Sequence, residues 1–109
     1  MQFEKVCDLA HLADGEAARV GTSVGHVTLF RVEGDYFATQ DKCSHGEWAL
    51  ADGYLDGHEI ECPLHGGKFC VRTGAVTAFP PTVALKTYPV RVEDGAVFVG
   101  VGGDGSGDA

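Results

Sequence analysis

The chain has 109 residues, 44% apolar and 22% charged, and its sixteen Asp and Glu against eight Lys and Arg leave a formal charge of −8. This length closes one hydrophobic core, so a single domain over 1–109 is expected. The acidity argues against nucleic acid or an anionic membrane surface as partner, because the protein's summed field repels both, and leaves proteins with a basic docking patch.

Met1-Gln2-Phe3-Glu4-Lys5 meets charge at once and lacks the basic segment, apolar run and cleavage site of a secretory signal. The longest stretch free of Asp, Glu, Lys and Arg, from Thr73 to Leu85, is too short to cross a bilayer and is broken by Pro80-Pro81. Without export, a cytoplasmic location is expected, and thiols or metal ligands are expected of the four cysteines rather than disulfides.

Along the chain, Asp8 to Ala13 offers one or two helical turns, with a capping Asp at its start and Asp14-Gly15 at its end. Val24 to Phe30 turns at Glu33-Gly34-Asp35 into Tyr36-Phe37-Ala38-Thr39, which reads as a hairpin. Further turns fall at Asp52-Gly53, Asp56-Gly57 and Thr73-Gly74. Around Asp94-Gly95, Val90 and Val92 alternate with Arg91 and Glu93, then Val97, Val99 and Val101 with Phe98 and Gly100, which predicts a hairpin with one buried face. No eleven-residue window sustains a helical stripe. The expected class is all-β, an antiparallel sandwich or barrel. The glycine-rich end, about 102–109, has little to bury and reads as a flexible tail.

Two short loops carry the chemistry: Cys43-Ser44-His45 followed by Gly46, and Cys62-Pro63-Leu64-His65 followed by Gly66 and Gly67. Thiolates beside imidazoles are metal ligands by their chemistry. Zinc accepts two cysteines and two histidines but usually takes them as like pairs, whereas here each loop supplies one of each. A [2Fe–2S] centre with thiolates on one iron and imidazoles on the other has this ligand set.

At these residues the sequence resembles the Rieske iron–sulfur proteins, and within them the small ferredoxins of bacterial aromatic-ring dioxygenase systems of the biphenyl, toluene or cumene type. Cys43-x-His45, Cys62-x-x-His65, Gly46, Gly66 and Pro80-Pro81 carry the likeness, which extends from Phe3-x-x-Val6-Cys7 through Ala38-Thr39-Gln40-Asp41 and Gly67-Lys68-Phe69 to Tyr88-Pro89-Val90-Arg91-Val92-Glu93-Asp94. The resemblance implies a β-sandwich base with a cluster-binding subdomain over about 40–74, and Cys43, His45, Cys62 and His65 as ligands. It implies a one-electron carrier, not an enzyme, between an FAD-containing, NADH-dependent ferredoxin reductase and a terminal Rieske non-haem iron oxygenase. A monomer is expected, since partner exchange needs the cluster tip free. Competing readings are a Rieske piece of an oxygenase, a zinc interaction module, and the small subunit of a nitrite-reductase-like complex.

The respiratory branch of that family has a disulfide between its loops and Ser and Tyr hydroxyl donors to sulfur. The matching positions here are Trp48 and Leu64 for the disulfide, and Gly67 and Phe69 for the donors. Missing donors predict a potential at the low end, on the order of −150 mV. With such a potential, His45 and His65 are expected to stay protonated near neutral pH and to form the exit of the electron path. Trp48 is expected to shield the cluster, anchor a partner or fill the place of the absent disulfide. Glu47 reads as a solvated carboxylate beside the docking tip. Pro80-Pro81 is expected to cover the cluster. Cys7 and Cys70 read as buried thiols outside the ligand set, His11, His26 and His58 as surface residues, and Lys68 and Arg72 as loop-orienting hydrogen-bond donors.

Overall fold

The computed structural model describes residues 2–43, 48–63, 66–79, 81 and 83–101. The expected tail at 102–109 therefore lies outside the described residues. Eleven strands are present among them: β1 (Gln2–Asp8), β2 (Ala17–Thr22), β3 (Gly25–Val32), β4 (Asp35–Gln40), β5 (Tyr54–Asp56), β6 (Glu59–Glu61), β7 (Lys68–Cys70), β8 (Val76–Ala78), β9 (Thr87–Tyr88), β10 (Val90–Glu93) and β11 (Ala96–Val101). They form three antiparallel sheets, ordered β1-β11-β10, β2-β3-β4-β9 and β5-β6-β7-β8. The expected all-β antiparallel class is what the chain adopts. No helix among the described residues is long and apolar enough to cross a membrane.

Both expected hairpins form. Glu33-Gly34 joins β3 to β4 and Asp94-Gly95 joins β10 to β11, and all four residues have positive φ, between 52° and 84°. Two such residues in a two-residue loop match the twist of the flanking strands. Glu33 is an unusual occupant, and the Asp14 carboxylate braces it by accepting from the Glu33 and Gly34 N–H groups at 3.2 and 2.8 Å. The C-terminal hairpin departs from the expectation of one buried face. β11 lies between β1 and β10, and Ala96, Val97, Val99, Gly100 and Val101 are all buried, while Val92 on the edge strand β10 is 44% exposed. On the edge strand β10 only Val90 is half-buried, while β11, flanked on both sides, is buried on both faces.

The segment after Asp8 is a single 3-10 turn, Leu9–His11, and Asp8 makes no side-chain cap to it. Its carboxylate meets Lys5 Nζ at 3.2 Å, and the Leu9 N–H is satisfied by the Gly95 carbonyl at 2.9 Å.

β3 belongs to two cores. Val27 and Leu29 pack with Leu12, Val20, Ala38, Val97, Val99 and Val101 between the first two sheets. Phe30 and Val32 point the other way, into a core shared with Cys43, Leu50, Ile60, Cys62, Phe69, Val71 and Leu85. The β5–β8 sheet supplies the far wall of this second core: Leu55, Ile60 and Phe69 align across neighbouring strands, and Val76 faces Phe69.

Candidate metal centre

Each cysteine of the two loops ends a short antiparallel ladder. In the first, Leu50 N–H donates to the Asp41 carbonyl at 2.6 Å, Lys42 bridges Ala49, and Cys43 N–H donates to the Trp48 carbonyl at 2.8 Å. In the second, Glu61 pairs with Lys68, and Cys62 N–H donates to the Gly67 carbonyl at 2.7 Å. Both closures run from a cysteine to the residue five places on, so the two loops are built alike. Gly66 has φ of 72°, a conformation that favours glycine, and a side chain there would face Glu61 Oε2 at 3.5 Å.

The two cysteines are 2% and 0% exposed and share one apolar core, so the sequence's two Cys/His loops are brought together at their cysteine ends. No disulfide joins any of the four cysteines. Ser44, His45, Gly46, Glu47, Leu64, His65 and Pro80 lie outside the described residues. The donor set fits a thiolate-bound metal group: two sulfurs from equivalent loop ends, walled by Leu50, Ile60, Phe69 and Leu85, where little water reaches them.

A third segment closes this wall. Leu85 N–H donates to the Gly74 carbonyl at 2.8 Å, and Pro81 is buried. The Gln40 side chain spans two segments, donating from Nε2 to the Lys42 carbonyl at 2.9 Å and accepting the Lys86 N–H at 2.7 Å. Next to it, Asp41 is buried and accepts from Arg19 Nε and from Thr28 Oγ1, both at 2.7 Å. Sequence reasoning placed Gln40 and Asp41 in a stretch that resembles the family and gave neither a role. Beyond that resemblance, their signal was their place immediately before the first loop.

Of the other residues singled out, Trp48 is 47% exposed at the end of the first loop, and Phe79 and Val83, beside the proline pair, are 79% and 62% exposed. Gly67 and Phe69 are both buried, Phe69 completely. His11 and His26 are exposed as expected, whereas His58 is half-buried, edge-on to Phe37 and within 3.1 Å of Arg72 Nη2. Cys7 and Cys70 are half-buried rather than buried, and Cys7 packs against the core of Val97 and Val99. Burial, then the Asp8 charge, pushes the Cys7 thiol up. Burial acts upward on Cys70 too, but donation from Thr73 and Arg72 and the Arg72 charge bring it below its ordinary value.

Residues 2–89 match the family model for the Rieske [2Fe–2S] domain. The chain belongs to that family. It is 51% identical over 100 residues to the biphenyl dioxygenase ferredoxin subunit of Pseudomonas sp., covering 91% of this chain and 92% of that one. The Sphingomonas yanoikuyae B1 ferredoxin superposes with a TM-score of 0.85 at 42% identity, over 90% of this chain and 97% of its own. A chain from the complex of reduced oxygenase and oxidized ferredoxin in carbazole 1,9a-dioxygenase gives a TM-score of 0.85 at 40% identity, over 89% and 100%. The cofactor of this Rieske protein is a Rieske-type [2Fe–2S] cluster.

Proposed function

We propose that this Rieske protein is the ferredoxin of an aromatic-ring dioxygenase system, taking single electrons from an FAD-containing, NADH-dependent reductase and delivering them to a terminal Rieske non-haem iron oxygenase. Its role is electron transfer and not catalysis, as in the ferredoxin subunit of biphenyl dioxygenase to which it is similar. The oxygenase is the partner favoured by likeness to a ferredoxin in complex with one. The reductase, a cytoplasmic location and a monomeric state follow from the family resemblance and from the acidic charge of −8, which suits transient docking on basic protein surfaces.

The ligands are Cys43 and Cys62 through sulfur and His45 and His65 through imidazole nitrogen, in a cluster-binding subdomain over about 40–74. When bound, the cluster accepts and releases one electron. The chain's own residues hold the two sulfurs at matched loop ends, exclude water with Leu50, Ile60, Phe69 and Leu85, and present exposed Trp48 beside the tip. The supporting observation is the pair of cysteines closed by the same five-residue hydrogen bond inside one apolar core.

EPR of the dithionite-reduced protein tests this. The anisotropic signal of a mixed thiolate–imidazole cluster is expected, and C43S or C62S is expected to abolish it together with the visible colour. A colourless protein that binds zinc refutes the assignment. Reduction by NADH and the reductase, followed by oxidation by the oxygenase, tests the two partners separately.

A further inference from the structure

We infer that Asp41 is a positioning residue for the first cluster loop: its carboxylate, held by Arg19 and Thr28, fixes where Cys43 leaves the base sheet and so fixes that sulfur relative to Cys62. This rests on the ligand assignment proposed above and adds what holds one ligand in place.

Arg19 and Thr28 are cross-strand partners in β2 and β3, so their side chains share a sheet face. Arg19 Nε donates to Oδ2 of Asp41 and Thr28 Oγ1 donates to Oδ1. Each oxygen is thus taken by a different strand, which sets the carboxylate's rotation as well as its place. Thr28 is fully buried and Asp41 is 8% exposed. Arg19 keeps its outer side in an open groove of about 400 Å³ lined by Arg19, His26, Gln40, Asp41, Lys42 and Ala49.

The main chain of Asp41 makes a different connection, to the loop. The last register pair between β3 and β4 is Val27 with Gln40, so strand pairing no longer fixes the chain at Asp41. The Asp41 carbonyl instead accepts the Leu50 N–H, the first rung of the ladder that ends at Cys43. Its side chain bonds to strands of the base sheet and its backbone bonds to the loop. Burying a carboxylate is costly unless its oxygens are satisfied. Ending a strand requires no charge, so strand termination alone does not explain this residue.

The test compares holoproteins carrying T28V, T28S and D41A with wild type, by EPR of the reduced state, by the rate of bleaching in excess chelator, and by thermal midpoint. Losing one hydrogen bond to a charged acceptor is expected to speed cluster release about tenfold in T28V, and more in D41A, with an altered EPR line shape in both. T28S, which keeps the hydroxyl, is expected to match wild type. An unchanged EPR line shape in T28V overturns the inference even if its midpoint falls and its release quickens, since general destabilisation moves those two and leaves the line shape alone. T28S behaving as T28V also overturns it, by assigning the effect to packing. Should D41A fail to fold, T28V against T28S decides. A wild type without the cluster signal overturns the ligand assignment as well, whereas unaltered variants of a wild type that has the signal overturn only the positioning role.

Discussion

Replacing Gly74 by alanine separates two costs that the structure assigns to different glycines. Gly74 has φ of 80°, and an added Cβ would overlap the Leu85 carbonyl oxygen while lying 3.0 Å from its carbon and 3.3 Å from Thr87 Cγ2. Gly57 has φ of 59° with nothing within 4 Å. Gly53, at φ of −86°, has no conformational penalty, but a Cβ there would overlap the Glu61 carbonyl oxygen. The left-handed conformation costs alanine about 1–2 kcal/mol, which is all that Gly57→Ala should lose. Overlap with a backbone atom adds about 1–3 kcal/mol. Displacing Leu85 also weakens its hydrogen bond to the Gly74 carbonyl, worth about 1 kcal/mol. Gly74→Ala should therefore cost about 3–6 kcal/mol. At roughly 4 °C per kcal/mol for a chain near this size, its thermal midpoint falls by about 12–24 °C against about 4–8 °C for Gly57→Ala. Circular dichroism melts of the holoproteins measure both, with Gly53→Ala showing overlap without the φ term. Gly74→Ala melting within a few degrees of Gly57→Ala would refute the close approach of the two segments.

Phe69→Tyr places a hydroxyl in the core shared by Cys43 and Cys62. If it donates to sulfur, protein-film voltammetry should show a potential raised by about 40–90 mV, corresponding to about 1–2 kcal/mol in favour of the reduced state; an unchanged potential with a lowered melting point means that the hydroxyl is left unpaired. Iodoacetamide at mildly alkaline pH should alkylate Cys70 before Cys7, because the Cys70 thiol lies below its ordinary value and Cys7 above it; peptide mapping that gives the reverse order contradicts both directions. The Ser23 hydroxyl and N–H hold the Glu4 carboxyl below its ordinary 4.5, so their contribution is present above that pH and is lost as pH falls through the lower folded value. The midpoint difference between wild type and Ser23→Ala should accordingly be constant from about pH 7 to 5 and shrink below it; a difference that is flat down to about pH 3 counts against the contact.

The hairpins were legible because a turn pair and a period-two pattern are local signals, and both determine the pairing of Val32 with Asp35 and of Glu93 with Ala96. The pairing of β1 with β11 was not legible, because it joins the two ends of the chain and leaves no mark on either. The burial of β11 on both faces and the exposure of Val92 follow from that pairing and were missed with it. At the site, Cys43 and Cys62 were named by residue type and spacing, which is where ligand chemistry shows itself. Asp41 stood in a stretch that resembles the family, but its role was not legible, since a carboxylate in a polar stretch reads as solvated until Arg19 and Thr28 are seen across two strands.

Why the two cysteine loops need no independent core follows from β3. A segment of about 40 residues rarely buries enough surface to stand alone without a metal or disulfide. Here Phe30 and Val32, with Ala17 and Phe37 packed against them, supply the wall that Leu55, Ile60, Phe69 and Val76 lack. The sulfurs are thus set in a core fixed by a strand buried on both faces, and less of their geometry is left to the loops, which suits a centre that must change charge without rearranging. The same pleat that turns Leu55, Ile60 and Phe69 inward turns Asp56, Glu59 and Glu61 outward on the same strands. One small sheet therefore shields the sulfurs with its inner row and contributes to the acidic field with its outer one. Period-two alternation keeps the two apart: a one-residue slip in β6 would exchange the two rows and place carboxylates against the cysteines.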